Sequence, residues 1–162
     1  MGEIIKVGMA DWKICTGDDG LTTLGLGSCV GVAIRDPQSG IGGLAHVMLP
    51  DSKETVNNSN RSKFADTCIA DMVTEMVKKG ANLGKMTAKI AGGAQMFAFG
   101  SGKSDMVRVG ERNVAACKNK LKELKIAVTA EDTGENYGRT VVFYPADGKY
   151  VIKAVGKPEK TI

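Results

Sequence analysis

Four short apolar, partly β-branched runs, residues 4–9, 21–24, 30–35 and 42–48, succeed one another in the N-terminal third, separated by Gly, Asp and Pro. Such punctuation separates strands, so this third of the chain is expected to be mostly β. Between the last two runs, Asp36-Pro37-Gln38-Ser39-Gly40 reads as a hairpin turn. The 21 glycines among 162 residues are nearly twice the usual share of ~7% and imply many tight turns or close backbone approaches.

The pattern then changes period. In 60–79, Phe64, Cys68, Ile69, Met72, Val73 and Met76 recur at helical spacing, with Ser59 or Asn60 as cap and Gly80 as stop. A second helix is expected near 111–124, where Val114, Cys117, Leu121 and Leu124 face one way and Lys118, Lys120, Lys122 and Lys125 form a solvated side. Strands are expected at 86–91, 126–130, 140–144 and 150–155, with Gly148 in the turn of a final hairpin. Strands clustered early and late around two helices give an α+β fold with mixed sheets, not a doubly wound parallel sheet. The length suits one domain, 1–162, with 156–162 expected as a flexible tail.

Composition removes several function classes. The net charge of +4 comes with only 4 Phe, 3 Tyr and 1 Trp spread over the chain, against the clustered basic and aromatic residues of a nucleic-acid binder. No window approaches the ~20 apolar residues of a membrane span, and no signal-peptide core opens the chain, so a cytoplasmic protein without membrane insertion is expected. Cys15, Cys29, Cys68 and Cys117 form no CxxC pair. They are expected as free thiols, with no metal site and no cofactor.

Three patterns fail on inspection. Gly25-Leu26-Gly27-Ser28-Cys29-Val30-Gly31 has its third glycine one residue late for a dinucleotide loop, and a strand-like run follows it. Gly100-Ser101-Gly102-Lys103-Ser104 ends like a phosphate loop, but Phe97 stands where its first glycine belongs. Asp132-Thr133-Gly134, similar to an aspartic-protease triplet, follows Ala130-Glu131 rather than an apolar strand and reads as a turn.

What remains is Cys29 in Gly27-Ser28-Cys29-Val30-Gly31. Small neighbours leave room for a carbonyl to reach the sulfur, and a bend there can turn backbone N–H groups near Ser28 and Cys29 toward a developing oxyanion. A buried packing cysteine fits the same residues. His46 is the sole histidine, so any imidazole chemistry must use it, although its apolar flanks also suit a satisfied core residue. The hairpin turn at 36–40 would bring Cys29 and His46, at its open ends, together. Apolar walls would strengthen a thiolate–imidazolium attraction.

The blocks Thr23-Leu24-Gly25-Leu26-Gly27-Ser28-Cys29-Val30, Ala45-His46-Val47-Met48-Leu49-Pro50-Asp51-Ser52, Lys89-Ile90-Ala91-Gly92-Gly93-Ala94-Gln95-Met96-Phe97, Gly110-Glu111-Arg112-Asn113 and Ala130-Glu131-Asp132-Thr133-Gly134 resemble, in order, the signatures of the CheD family. Its members are chemoreceptor glutamine deamidases of bacterial and archaeal chemotaxis. The resemblance implies layered mixed sheets with helices packed outside, similar to the cysteine deamidase domain of cytotoxic necrotizing factor toxins. It also implies a Cys-His-Thr triad of Cys29, His46 and Thr23; for such a reaction Ser28, beside Cys29, is the candidate for oxyanion contact. Chemoreceptor cytoplasmic domains would be the substrate and the CheC phosphatase a partner. Whether Thr23 would act through its hydroxyl or its backbone is open at this level. The rival reading is a non-enzymatic chemotaxis adaptor; a redox-sensing thiol protein lacks a nearby resolving cysteine.

Overall fold

A computed structural model of the chain describes residues 2–52, 60–95 and 109–162. Its strands are β1 (Ile4–Lys6), β2 (Trp12–Cys15), β3 (Gly20–Leu26), β4 (Val30–Asp36), β5 (Ile41–Val47), β6 (Thr87–Gly92), β7 (Ala127–Thr133), β8 (Arg139–Tyr144), β9 (Lys149–Lys153) and β10 (Lys160–Thr161). Two α-helices, α1 (Ala65–Lys78) and α2 (Val109–Glu123), interrupt them. Two five-stranded mixed sheets result, ordered β1-β3-β8-β9-β10 and β2-β5-β4-β6-β7. The fold is α+β.

The second sheet is buried on both faces, which is why β4 and β5 read as continuous apolar runs rather than alternating ones. Val30, Val32, Ile34, Ala45 and Val47 face the helices, where Cys68, Ile69, Met72, Met76, Cys117 and Leu121 meet them. Cys29, Ala33 and Leu44 face the other way, against Leu21, Leu26, Val141, Phe143, Tyr150 and Ile152 of the first sheet. The order of layers is therefore sheet, sheet, helices. Every odd–even switch along β4 and β5 decides which of two cores a side chain enters.

The 36–40 turn closes β4 and β5 as the sequence predicts. Asp36 pairs with Ile41 and Gly31 with His46, the Asp36 carboxylate accepts from Gln38 N–H at 2.9 Å, and Gly40 N–H donates to Asp36 O at 3.0 Å. The β8–β9 hairpin turns at Gly148, whose N–H donates to Tyr144 O at 2.8 Å.

Three expectations need correction. The helix expected from residue 60 starts at Ala65: Asn60 caps a separate 3₁₀ turn at Arg61–Lys63, its side chain accepting from Ser62 N–H. Phe64 between them is extended because it bridges Leu49, so a tertiary contact overrides the local helical period. Residues 156–162, expected as a flexible tail, end in β10 against β9. Ile162 exchanges backbone hydrogen bonds with Tyr150 at 3.0 and 3.2 Å, and Lys89 Nζ donates to Ile162 O at 2.8 Å. Asp132-Thr133-Gly134, expected as a turn, has its first two residues in β7, paired with Ala91 and Gly92 of β6. The Gly100–Ser104 pattern lies outside the described residues.

Candidate active site

The site forms where the two sheets face each other. On β3 an extra residue is inserted opposite β8 between Thr23 and Leu26, so Leu24 and Gly25 turn to solvent while Thr23 and Leu26 both stay inside. Thr23 thus points from the first sheet toward His46, which β5 presents from the second. The Thr23 hydroxyl lies 2.7 Å from His46 Nδ1 and 2.8 Å from Val7 O.

That pair of contacts fixes the imidazole's proton. A hydroxyl has one hydrogen to give, and the Val7 carbonyl can only accept it. Thr23 Oγ1 must therefore accept from His46, so Nδ1 carries the hydrogen and Nε2 of the neutral ring keeps its lone pair. Nε2 is buried and has no hydrogen-bond partner among the described residues.

Cys29 sits just before β4. It is two residues from Gly31, the residue directly opposite His46, and packs on the same inter-sheet face as Ala33 and Leu44. This makes Cys29 the diagonal neighbour of His46, a relation that spans roughly 7–8 Å between backbones and less between side chains. The backbone around Cys29 is tied down: Gly93 N–H donates to Cys29 O at 2.9 Å and Ala94 N–H to Gly27 O at 2.8 Å. Gly92 makes that approach possible, since a Cβ there would lie 2.3 Å from Cys29 O and its φ is +107°.

Burial sets the charge state. The thiol of Cys29, 8% exposed, is pushed above its ordinary value by desolvation, and burial pushes the His46 imidazole below its ordinary value. The apolar walls thus act first against each ion, disfavouring both the thiolate and the imidazolium. Cys15 and Cys68 are pushed further, to about 11 and about 12, and Cys117 is raised by complete burial. Cys68 and Cys117 are wholly enclosed. Both pack between helices and sheet, away from the His46 face.

Ser28 is half-buried. Its N–H and that of Cys29 donate to no carbonyl among the described residues. Two buried polar side chains surround this loop without having been assigned roles from the sequence. Asn113, in one of the resemblance blocks, donates to Ser28 O and Met48 O; an Asn on the apolar stripe of α2 was the visible signal. Arg139, fully enclosed, pairs with Asp132 at 3.0 Å and donates to Gly92 O at 3.4 Å and Gly134 O at 3.1 Å. Burial alone would raise Asp132, but the bonds from Lys160 and Arg139 outweigh it and hold the carboxylate below its usual range. Among the described residues no cluster of three or more His, Cys, Asp or Glu could hold a metal ion, and no helix is long and apolar enough to cross a membrane.

A family model described as CheD chemotactic sensory transduction matches residues 48–154. The chain belongs to the CheD family. A CheD relative from Lachnoclostridium phytofermentans, named probable chemoreceptor glutamine deamidase CheD, is 56% identical over the whole of both chains. The chemoreceptor glutamine deamidase CheD of Halalkalibacterium halodurans is 45% identical, again over the whole of both. The Moorella thermoacetica relative, also named a probable chemoreceptor glutamine deamidase, is 48% identical over 98% of this chain and 95% of its own. Thr23, Cys29 and His46 precede the span matched by the CheD family model but lie within the span matched by the full-length relatives. A solved structure, the hypothetical protein YfiH of Bacillus licheniformis, matches 74% of this chain and 51% of its own at 19% identity and a TM-score of 0.40, too distant to bear on the site.

Proposed function

We propose that this chain is a chemoreceptor glutamine deamidase that converts glutamine side chains of receptor cytoplasmic domains to glutamate, with Cys29 as nucleophile, His46 as acid and base, and Thr23 as the residue that orients the ring. The observation that carries this reading is the Val7–Thr23–His46 chain of hydrogen bonds, which leaves Nε2 as a free lone pair on the face that Cys29 shares.

The reaction runs in two halves. Cys29 Sγ bonds to the side-chain carbonyl carbon as its proton passes to His46 Nε2, and the carbonyl π electrons move onto oxygen. The N–H groups of Ser28 and Cys29, which donate to no backbone carbonyl among the described residues, would serve as donors for that oxyanion. Collapse breaks the C–N bond, His46 returns its proton to the leaving nitrogen, and ammonia departs from a thioester. Water then attacks the same carbon while His46 takes its proton. The C–S bond breaks, the proton returns to sulfur, and glutamate is released. Thr23 is neutral, so it orients the imidazole without the ionic support a carboxylate gives an imidazolium. A long, flexible glutamine side chain suits a nucleophile with so little exposed surface.

The resemblance also supports CheC as a binding partner, a cytoplasmic location, and kinship of this layered fold with the cysteine deamidase domain of cytotoxic necrotizing factor toxins. The test is direct. Purified protein incubated with receptor cytoplasmic fragments should yield tryptic peptides in which specific Gln residues carry OH in place of NH2. If folded protein converts no glutamine in any of several receptor fragments, the adaptor reading replaces this one.

A further inference from the structure

The β4–β5 ladder ends at the pair Val30 and Val47, one residue after Cys29 and one after His46. Beyond it the two strands part. Met48 and Leu49 N–H groups both donate to Lys63 O, at 3.0 and 2.9 Å, and Cys29 O accepts from Gly93 instead of from β5. The side chain that bonds both separated ends is Asn113, which is fully buried. Its Nδ2 donates one hydrogen to Ser28 O at 2.9 Å and the other to Met48 O at 2.9 Å.

The two carbonyls fix which way the amide faces, since turning it over would set Oδ1 against two oxygen acceptors. Oδ1 itself is buried with no hydrogen-bond partner among the described residues. An apolar residue of similar size would spare the fold that unpaired acceptor but would strand both carbonyls. The helix is also held close by design of its first turn: a Cβ on Gly110 would lie 2.3 Å from Ala94 O and 2.6 Å from Gly93 O. The 93–94 segment that binds the Cys29 loop is therefore the floor on which α2 rests.

We propose that Asn113 is a positioning residue: its carboxamide replaces the missing rungs of the ladder and sets the separation between Cys29 and His46. The inference rests on Cys29 and His46 acting as a pair, as in the function proposed above. Asn113 touches neither reacting atom. It acts through the residue before Cys29 and the residue two after His46.

The experiment reads the pair without any receptor. Full-length protein is treated with iodoacetamide between pH 5.5 and 9, and alkylation of the Cys29 peptide is followed by mass spectrometry for wild type, His46→Ala, Asn113→Asp and Asn113→Leu. Far-ultraviolet circular dichroism and melting identify the variants that remain folded. Wild type should show a pH inflection that His46→Ala removes. Folded Asn113 variants should lose that inflection and slow by about 10- to 100-fold at neutral pH, the scale on which a displacement of about 1 Å acts.

On receptor fragments the same variants should lower kcat with KM little changed. A folded Asn113 variant that melts earlier yet keeps the wild-type alkylation profile would overturn the proposal, and so would a wild-type profile indifferent to His46→Ala. Should both variants fail to fold, the side-chain amide protons of Asn113 in wild type decide it by NMR: slow exchange supports the clamp and rapid exchange refutes it. Loss of the inflection in Asn113 variants of a protein that deamidates no receptor would uphold the clamp while removing the deamidase reading.

Discussion

Thr23→Val keeps the outline of the side chain and deletes one atom, the oxygen that lies 2.7 Å from His46 Nδ1 and 2.8 Å from Val7 O. Both partners are left inside the protein, because Val7 is 1% exposed and His46 not at all. A stranded buried donor and a stranded buried acceptor cost about 1–3 kcal/mol each, so stability should fall by roughly 2–6 kcal/mol. The chemical effect is separate. Without an acceptor at Nδ1 the ring loses what holds its hydrogen there, and the fraction with a lone pair on Nε2 falls. A loss of about 1.4–4 kcal/mol in transition-state stabilisation corresponds to a 10- to 1000-fold slower deamidation. Receptor-fragment deamidation followed by mass spectrometry gives the rate, and imidazole ¹⁵N shifts of the single histidine give the tautomer. Thr23→Ser, which keeps the oxygen, should recover most of both. A folded Thr23→Val protein with the wild-type rate and Nδ1 still protonated would refute the reasoning, and the orienting group would have to be sought elsewhere.

Cys29→Ala should abolish deamidation with little change in melting, while Ser or Ala at Cys15, Cys68 and Cys117 should leave the rate per folded molecule unchanged; full turnover by Cys29→Ala would exclude it as nucleophile. The pH–rate profile of kcat/KM should have its acid limb below the ordinary imidazole value of 6.5, because burial lowers His46, and its plateau should persist through pH 8 because the Cys29 thiol is raised. An activity maximum confined to acid solution would argue against a neutral pair. For stability the sign follows from the same shift: His46 is neutral when folded and binds a proton more readily when unfolded. The contribution is therefore whole above pH 6.5 and is lost as pH falls through the lower folded value, so melting temperature should drop on acidification, and less so in His46→Gln. Arg139→Met removes one partner of an enclosed ion pair with Asp132 and should cost about 3–5 kcal/mol in denaturant unfolding; a cost under about 1 kcal/mol would mean that Asp132 is satisfied by Lys160 alone.

How much of this was legible in the sequence depended on whether a signal was local. The β4–β5 hairpin was, since Asp36-Pro37 and Gly40 mark a turn by their own backbone preferences and the apolar runs on either side set the register. With the register came the proximity of Cys29 and His46. Strand β2 was missed because Trp12, Lys13, Ile14 and Cys15 are too few to establish a period, and β10, at two residues, has none. The start of α1 was misplaced because Phe64 obeys Leu49, a residue outside any local window. Thr23 carried no signal of its own: a threonine in a strand is ordinary, and its meaning comes from Val7 O, which reaches it across β1 and β3. It is named through family resemblance, and the structure puts its hydroxyl, not its backbone, beside His46 Nδ1.

The kind of side chain that suits position 23 follows from where the fold puts it. The position faces a backbone carbonyl on one side and an imidazole N–H on the other, inside an apolar space between sheets whose burial pushes the Cys29 thiol up and the His46 imidazole down. A carboxylate there could accept from Nδ1, but it has no hydrogen for Val7 O and would set negative charge against that oxygen. It would also have to be desolvated beside an imidazole whose own positive form burial disfavours. A hydroxyl meets both neighbours at once, donating to one and accepting from the other. Pinning His46 in one tautomer thus requires no buried ion beside it.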